Sequence, residues 1–164
     1  VRIGDKPVIS YIIESYPTDT EFVITLGHYG DYVKQFLELA YPTYNFSFVN
    51  IDKYSGEGSS LGYSLLQCEA EINCPFIFHA SDTILENFEI PNLSTNWIVG
   101  SYKEDSSQYR TLNLNHGKLI NINEKGEIGF DFSYVGLAGI KDFNLFFFCP
   151  FIFLHSFFLS FFFS

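Results

Sequence analysis

At 164 residues the chain is long enough for one domain with a substantial core and short for two. With 47% hydrophobic residues it is built to fold, and a net charge of −10 with no basic stripe excludes a binder of nucleic-acid backbone. A metal ion or a few local cations still leave nucleotides open as ligands. The cysteines Cys68, Cys74 and Cys149, an odd number without a C-x-x-C pair, point away from a disulfide framework or a thiolate zinc site. They fit free thiols in a reducing cytoplasm. Val1–Gly4 has neither a basic nor an apolar leader region, so a cytoplasmic location is expected.

Taken in order, Lys6–Glu14 places Pro7 at a helix start with apolar residues at helical spacing behind it. Glu21–Gly27 is a short apolar run ending in Gly and predicts a buried strand. Tyr29–Ala40 returns to helix, with Tyr32, Val33, Phe36, Leu37 and Ala40 on one face. Asn45–Ile51 predicts a strand, Ser55–Gly62 a polar glycine-rich loop, Leu61–Ile72 a helix and Pro75–Ala80 a buried strand. This alternation is the pattern of a mostly parallel sheet with crossover helices. Beyond Asp82 the pattern becomes β-rich. Strands are expected over Trp97–Tyr102, Tyr109–Leu114, Lys118–Asn123 and Phe132–Ile140, with turns at Asn115-His116-Gly117 and Lys125-Gly126. The fold class is therefore α/β: a mostly parallel mixed sheet flanked by helices, with antiparallel strands added after residue 90.

The last charged residue is Asp142, and Phe143–Ser164 holds eleven of the twenty Phe. Leu145–Phe163 has the length of a membrane span. Yet it contains Pro150 and His155, and no Lys or Arg directly adjoins it as an anchor. The expected organisation is a domain over 1–142 and a Phe-rich tail over 143–164 that lies outside the native fold, with no membrane partner unless that tail is genuine.

In open α/β sheets ligands bind beyond the carboxyl ends of the strands. Three features fall there: Gly27-His28, the Gly58–Gly62 loop, and Ser81-Asp82. An Asp ending a buried apolar strand can hold Mg²⁺, a hard cation that prefers carboxylate oxygen, or can cap the following turn. The glycine loop can receive phosphate or a base edge, or be a plain turn; it is no Walker loop, because no Lys follows its second Gly. His79 alternates within a strand and reads as a packed residue.

Together and in order, these segments resemble the sugar-phosphate nucleotidyltransferases. Gly4-Asp5-Lys6-Pro7-Val8-Ile9 resembles that family's "gKPvi" helix start, and Phe22–Gly27 with His28-Tyr29 its "ivvGy" strand. Gly58–Leu66 followed by Pro75–Leu85 resembles its Gly-rich turn before an apolar strand and "GDnil". Asn123-Glu124-Lys125 resembles "EKP", and Val135–Ile140 the late "GiY" strand. The wording around Gly62–Cys68 and Ser81-Asp82-Thr83 is similar to a branch linked to capsule or phosphocholine-type head groups.

The resemblance implies a Rossmann-like fold of the GT-A type. It implies transfer of NMP from an NTP to a phosphorylated sugar or related head group, with release of pyrophosphate. Asp82 would hold Mg²⁺ and, with Lys125, form the catalytic set. Gly27, Gly58, Ser59, Ser60 and Gly62 would bind the nucleotide; Glu124, Lys125 and Tyr109 would face the substrate. It further implies a piece of a longer protein, since the family's "GGxGTR"-like phosphate loop precedes and its second metal-binding Asp follows the matched stretch, so no turnover is expected from this chain. Ser81, Gly126 and Arg110 depart from the family's Gly, Pro and Gly. A nucleotide-sugar glycosyltransferase ranks lower, because Thr83-Ile84 follow Asp82 where an Asp-x-Asp pair is wanted. A regulatory module that has lost the loop is the non-enzymatic alternative.

Overall fold

The computed structural model describes residues 2–102 and 105–148, with the backbone alone for 160–163. Cys149, Pro150 and His155 lie outside the described residues. The chain forms two compact units, one from residues 1–13 with 74–164 and the other from Glu14–Asn73.

A hairpin of β1 (Arg2–Ile3) and β2 (Lys6–Pro7) opens the chain and leads into α1 (Val8–Glu14), so Pro7 immediately precedes the helix. The second unit follows with β3 (Glu21–Leu26), α2 (Gly30–Ala40), β4 (Asn45–Asn50) and α3 (Leu61–Leu66). β3 and β4 pair in parallel, Glu21 opposite Asn45 through Leu26 opposite Asn50, as a short crossover helix between two apolar strands requires. Leu37 is the fully buried residue of α2, with Val33 and Phe36 half-buried beside it. Tyr32, expected on that buried face, is 71% exposed and stands edge-on to Tyr29 at 5.9 Å.

α3 stops six residues before its expected end. Beyond Leu66 the backbone tightens into turns in which Cys68, Glu69 and Glu71 donate to carbonyls three residues back. Glu69 and Glu71 bring negative charge to the helix's negative end, where no basic residue offsets it, so the last turn is not extended.

The first unit continues with β5 (Phe76–His79), β6 (Trp97–Ser101), β7 (Thr111–Asn115), β8 (Lys118–Asn123), β9 (Phe132–Ile140), α4 (Phe143–Phe148) and β10 (Ser160–Phe163). These strands form one sheet in the order β5-β9-β6-β10-β8-β7, with β9 also paired to β7. Its pairings are antiparallel except β10 with β6. The α/β class holds, and the parallel character expected of the sheet resides in β3–β4 and β6–β10. β5 joins the antiparallel set through β9. β7 begins two residues later than expected because the Tyr109 amide closes a turn on the Ser106 carbonyl.

Side chains alternate across this sheet. Trp97, Val99 and Leu137 are buried on one face, and Ile98, Leu112, Ala138 and Ile140 on the other. Phe143 and Phe146 of α4 pack on the second cluster, with the Phe146 ring edge-on to Phe76 at 5.7 Å. Trp97 fits only because its strand partner is Gly139; a Cβ there would stand 2.2 Å from the indole. Among the described residues no helix is long and apolar enough to cross a membrane.

Candidate functional site

At the carboxyl ends of the parallel strands β3 and β4 lies a cleft of about 320 Å³. Thr25, Gly27, Ile51, Lys53, Tyr54, Ser59, Ser60, Leu61 and Ser64 line it. The structure thus brings Gly27 together with Ser59 and Ser60, more than thirty residues on in sequence, and flanks them with Gly58 and Gly62. Gly58 has φ +82°, a left-handed backbone that explains its glycine. Gly62 is helical, and a Cβ there would meet only Ser60 Oγ at an ordinary contact distance of 4.0 Å, so local structure does not demand its glycine.

The serines are part of the loop's construction. Ser59 donates its hydroxyl to the Gly56 carbonyl at 2.7 Å, and Ser60 Oγ caps α3 by accepting the Tyr63 amide at 3.0 Å. Ser60 therefore keeps its own O–H for a ligand. At six residues α3 is too short for a strong dipole, so the cleft's chemistry rests on side chains and loop amides.

Three residues that sequence reasoning missed complete this region. Asp52 accepts the Tyr63 hydroxyl at 2.5 Å and the Lys53 amide at 2.8 Å, tying the end of β4 to α3. The Tyr63 bond, above all, holds the Asp52 carboxyl below the usual range and raises the Tyr63 phenol. Lys53 Nζ stands 5.7 Å from the centre of the Tyr63 ring. Tyr54 is 51% exposed and lies across Gly27, where a Cβ would meet its Cβ at 2.9 Å. The signal for all three was available: they follow directly on the predicted strand Asn45–Ile51, at its ligand-facing end.

In the other unit, Ser81 and Asp82 occupy the middle of a turn closed by the Thr83 amide on the Ala80 carbonyl at 3.1 Å. The turn is strapped to β9. Ala80 N–H donates to the Gly136 carbonyl at 2.7 Å, and the Thr83 hydroxyl donates to the Val135 carbonyl. β9 bulges at this point, since Ile98 and Gly100 face Ala138 and Tyr134. His79 is half-buried, its Nε2 2.9 Å from the Thr83 carbonyl, and burial holds its pKa below the ordinary value.

Asp82 is exposed, and among the described residues its carboxylate accepts no hydrogen bond. One unengaged carboxylate suits Mg²⁺, which takes one or two from a protein and fills its remaining positions with water and phosphate oxygens. Among the described residues no group of three His, Cys, Asp or Glu could enclose a metal.

Tyr109, Glu124 and Lys125 come together around one residue. The amides of Tyr109 and Gly126 both donate to the Ser106 carbonyl at 3.0 Å, and the Ser106 hydroxyl donates to the Glu127 carbonyl. Tyr109, Glu124 and Lys125 are exposed on these turns. Glu124 forms an ion pair with Arg110, one of the three residues that depart from the family pattern. Gly27, Gly58, Ser59, Ser60 and Gly62 belong to one unit, and Asp82, Tyr109, Glu124 and Lys125 to the other.

No protein-family model matches the chain, and no curated protein does. Solved structures do. A protein from Bacillus anthracis assigned as a glucose-1-phosphate thymidylyltransferase matches with a TM-score of 0.72 at 18% identity, over 100% of this chain and 76% of that one. HddC from Yersinia pseudotuberculosis matches at 0.66 and 18%, over 95% and 74%. A UDP-glucose pyrophosphorylase solved with UDP-glucose matches at 0.65 and 19%, over 84% and 65%. The fold is that of the sugar-phosphate nucleotidyltransferases. At these identities the likeness speaks for the fold alone, and the chemistry rests on the residues.

Proposed function

We propose that the chain provides the binding frame of a nucleotidyltransferase reaction: NTP plus a phosphorylated sugar or related head group gives an NDP-linked product and pyrophosphate. The observation that carries the reading is the cleft at the carboxyl ends of β3 and β4, with Gly27, Ser59 and Ser60 in its lining. In that reaction the substrate phosphate attacks the α-phosphorus in line, so the protein's part is placement and charge neutralisation. The nucleoside end occupies the cleft over the Gly58–Gly62 loop. When bound, Mg²⁺ supplies neutralisation of the triphosphate, and Asp82 is the residue that would hold it. Lys125 meets the substrate phosphate; Glu124 and Tyr109 take its hydroxyls. The Arg110 guanidinium competes for Glu124, which favours slow or absent turnover in this chain. Phosphocholine-type head groups stay within the acceptor class.

The test is binding of an NTP to the whole chain, read residue by residue from amide resonances with and without Mg²⁺. Expected are shifts at Gly27, Ser59 and Ser60, and a Mg²⁺-dependent gain in affinity of about tenfold that Asp82→Asn abolishes. Shifts confined elsewhere on the chain, or a gain that survives Asp82→Asn, would refute the reading or its metal assignment respectively.

A further inference from the structure

The β3–β4 cleft has two walls that are held in different ways. Thr25, Gly27 and Ile51 form one, at the ends of the paired strands. Ile51 is buried there, with its amide on the Leu26 carbonyl at 2.8 Å. The other lining residues lie between Lys53 and Ser64, on the glycine loop and the start of α3.

This second wall is lightly held. α3 buries none of its residues, and residues 52–58 are all exposed. Gly56 and Gly58 have φ of +80° and +82°, and a Cβ at Gly56 would meet nothing within 4 Å. Among the described residues, the hydrogen bonds of 53–59 stay within 52–59. They are the Lys53 amide to Asp52, and the Ser59 amide and hydroxyl to the Gly56 carbonyl. Few buried contacts and a main chain open to water mark a segment that opens at low cost.

One contact ties this wall to the strands. Asp52 directly follows buried Ile51, and its carboxylate accepts the Tyr63 hydroxyl at 2.5 Å. Among the described residues it is the one hydrogen bond that joins α3 to the end of β4. Its acceptor is charged, which makes it stronger than a bond between neutral groups. The Lys53 amide, at 2.8 Å from the same oxygen, fixes the acceptor. Tyr63 is in turn linked to the lining, because its amide donates to Ser60 Oγ.

We propose that Asp52 and Tyr63 are positioning residues whose hydrogen bond latches this wall as a gate, so that the cleft is shut when the bond is made and admits or releases ligand when it breaks. What passes the gate rests on the nucleotide reading of the cleft; the latch rests on the loop's own geometry. A gate differs kinetically from a direct contact. Loosening it speeds entry and exit alike, whereas losing a contact speeds exit alone.

The experiment compares the full chain with Tyr63→Phe, which keeps the ring and removes only the hydroxyl, with Asp52→Ala, and with the two combined. Amide hydrogen exchange without ligand reads the latch. The Tyr63 and Ser64 amides should exchange about fivefold faster in Tyr63→Phe, the scale of an exposed charge-assisted bond, with the Ile51 amide unchanged. The combined variant should go no further than either single one, since both break the same bond. Asp52→Asn keeps an acceptor for the hydroxyl and should lie nearer the wild type. Line shapes of amide resonances on titration with UTP and Mg²⁺ read the gate. Expected in Tyr63→Phe are association and dissociation rates that each rise about fivefold, with affinity kept within about twofold. UTP binding at the cleft with unchanged rates, or with dissociation alone raised, overturns the gate and leaves the nucleotide reading standing. Unchanged exchange at Tyr63 and Ser64, or effects of the two variants that add, overturns the latch. No UTP binding by either protein sinks the nucleotide reading, and the exchange arm then decides the latch by itself.

Discussion

Replacing Gly136 by Ala tests whether the turn bearing Asp82 is held by β9. Gly136 has φ +84°, where a side chain costs roughly 1–2 kcal/mol. The added methyl would stand 2.6 Å from Ala80 Cβ and 3.1 Å from Thr83 Oγ1. Something must shift, and overpacking of this kind costs roughly 1–3 kcal/mol. Moving the turn away relieves the contact but stretches the Ala80–Gly136 and Thr83–Val135 hydrogen bonds, each worth about 0.5–1.5 kcal/mol. These costs overlap, so the expected total is about 2–4 kcal/mol. The single tryptophan, Trp97, is fully buried on the neighbouring strand and reports urea unfolding by its fluorescence. Ala80→Gly removes the closest contact and leaves the backbone strain. The double variant should therefore recover about 1–2 kcal/mol relative to additivity. A Gly136→Ala loss below about 0.5 kcal/mol, or no coupling to residue 80, would refute the strap.

Two further outcomes follow from buried groups. Cys68 is buried, donates to the Ser64 carbonyl, and has its pKa pushed up to about 11 by burial and by Glu71, whereas Cys74 is exposed. Iodoacetamide on the folded chain at pH 7.5 should label Cys74 and spare Cys68 until urea unfolds it; equal labelling by peptide mass would contradict the burial. His79, with its folded pKa below the unfolded 6.5, resists protonation only while folded. Stability should fall as pH drops below about 6.5. Comparing urea midpoints at pH 7.5 and 5.0, His79→Gln should show a smaller drop than the wild type; an equal drop would mean that other groups carry it.

Much of the secondary structure was legible because its signals are local. Lys118–Asn123 and Phe132–Ile140 have their expected bounds, since Asn-His-Gly and the glycines around them punctuate alternating strands. The glycine loop and Gly27 could be assigned to one end of the strands by the topology rule alone. What escaped depends on partners distant in sequence. Arg110 takes Glu124, and Gly136 is glycine because of Ala80. Lys53 and Tyr54 escaped for a different reason. A Lys-Tyr pair carries no motif, and only its position past a parallel strand marks it.

The central place of β9 has a kinetic consequence. Its neighbours β5, β6 and β7 all precede it in the chain, and among the described residues β5 and β6 find an antiparallel partner only in Phe132–Ile140. The sheet of this unit cannot close from local hairpins alone, β7–β8 excepted. Its assembly waits on long loop closures, which are slow, and leaves Phe76–His79 and Trp97–Ser101 as unpaired apolar edges meanwhile. The nascent chain is thus most exposed to misassociation in the interval before β9 arrives, and the amide protons of β9 should be the last to gain protection.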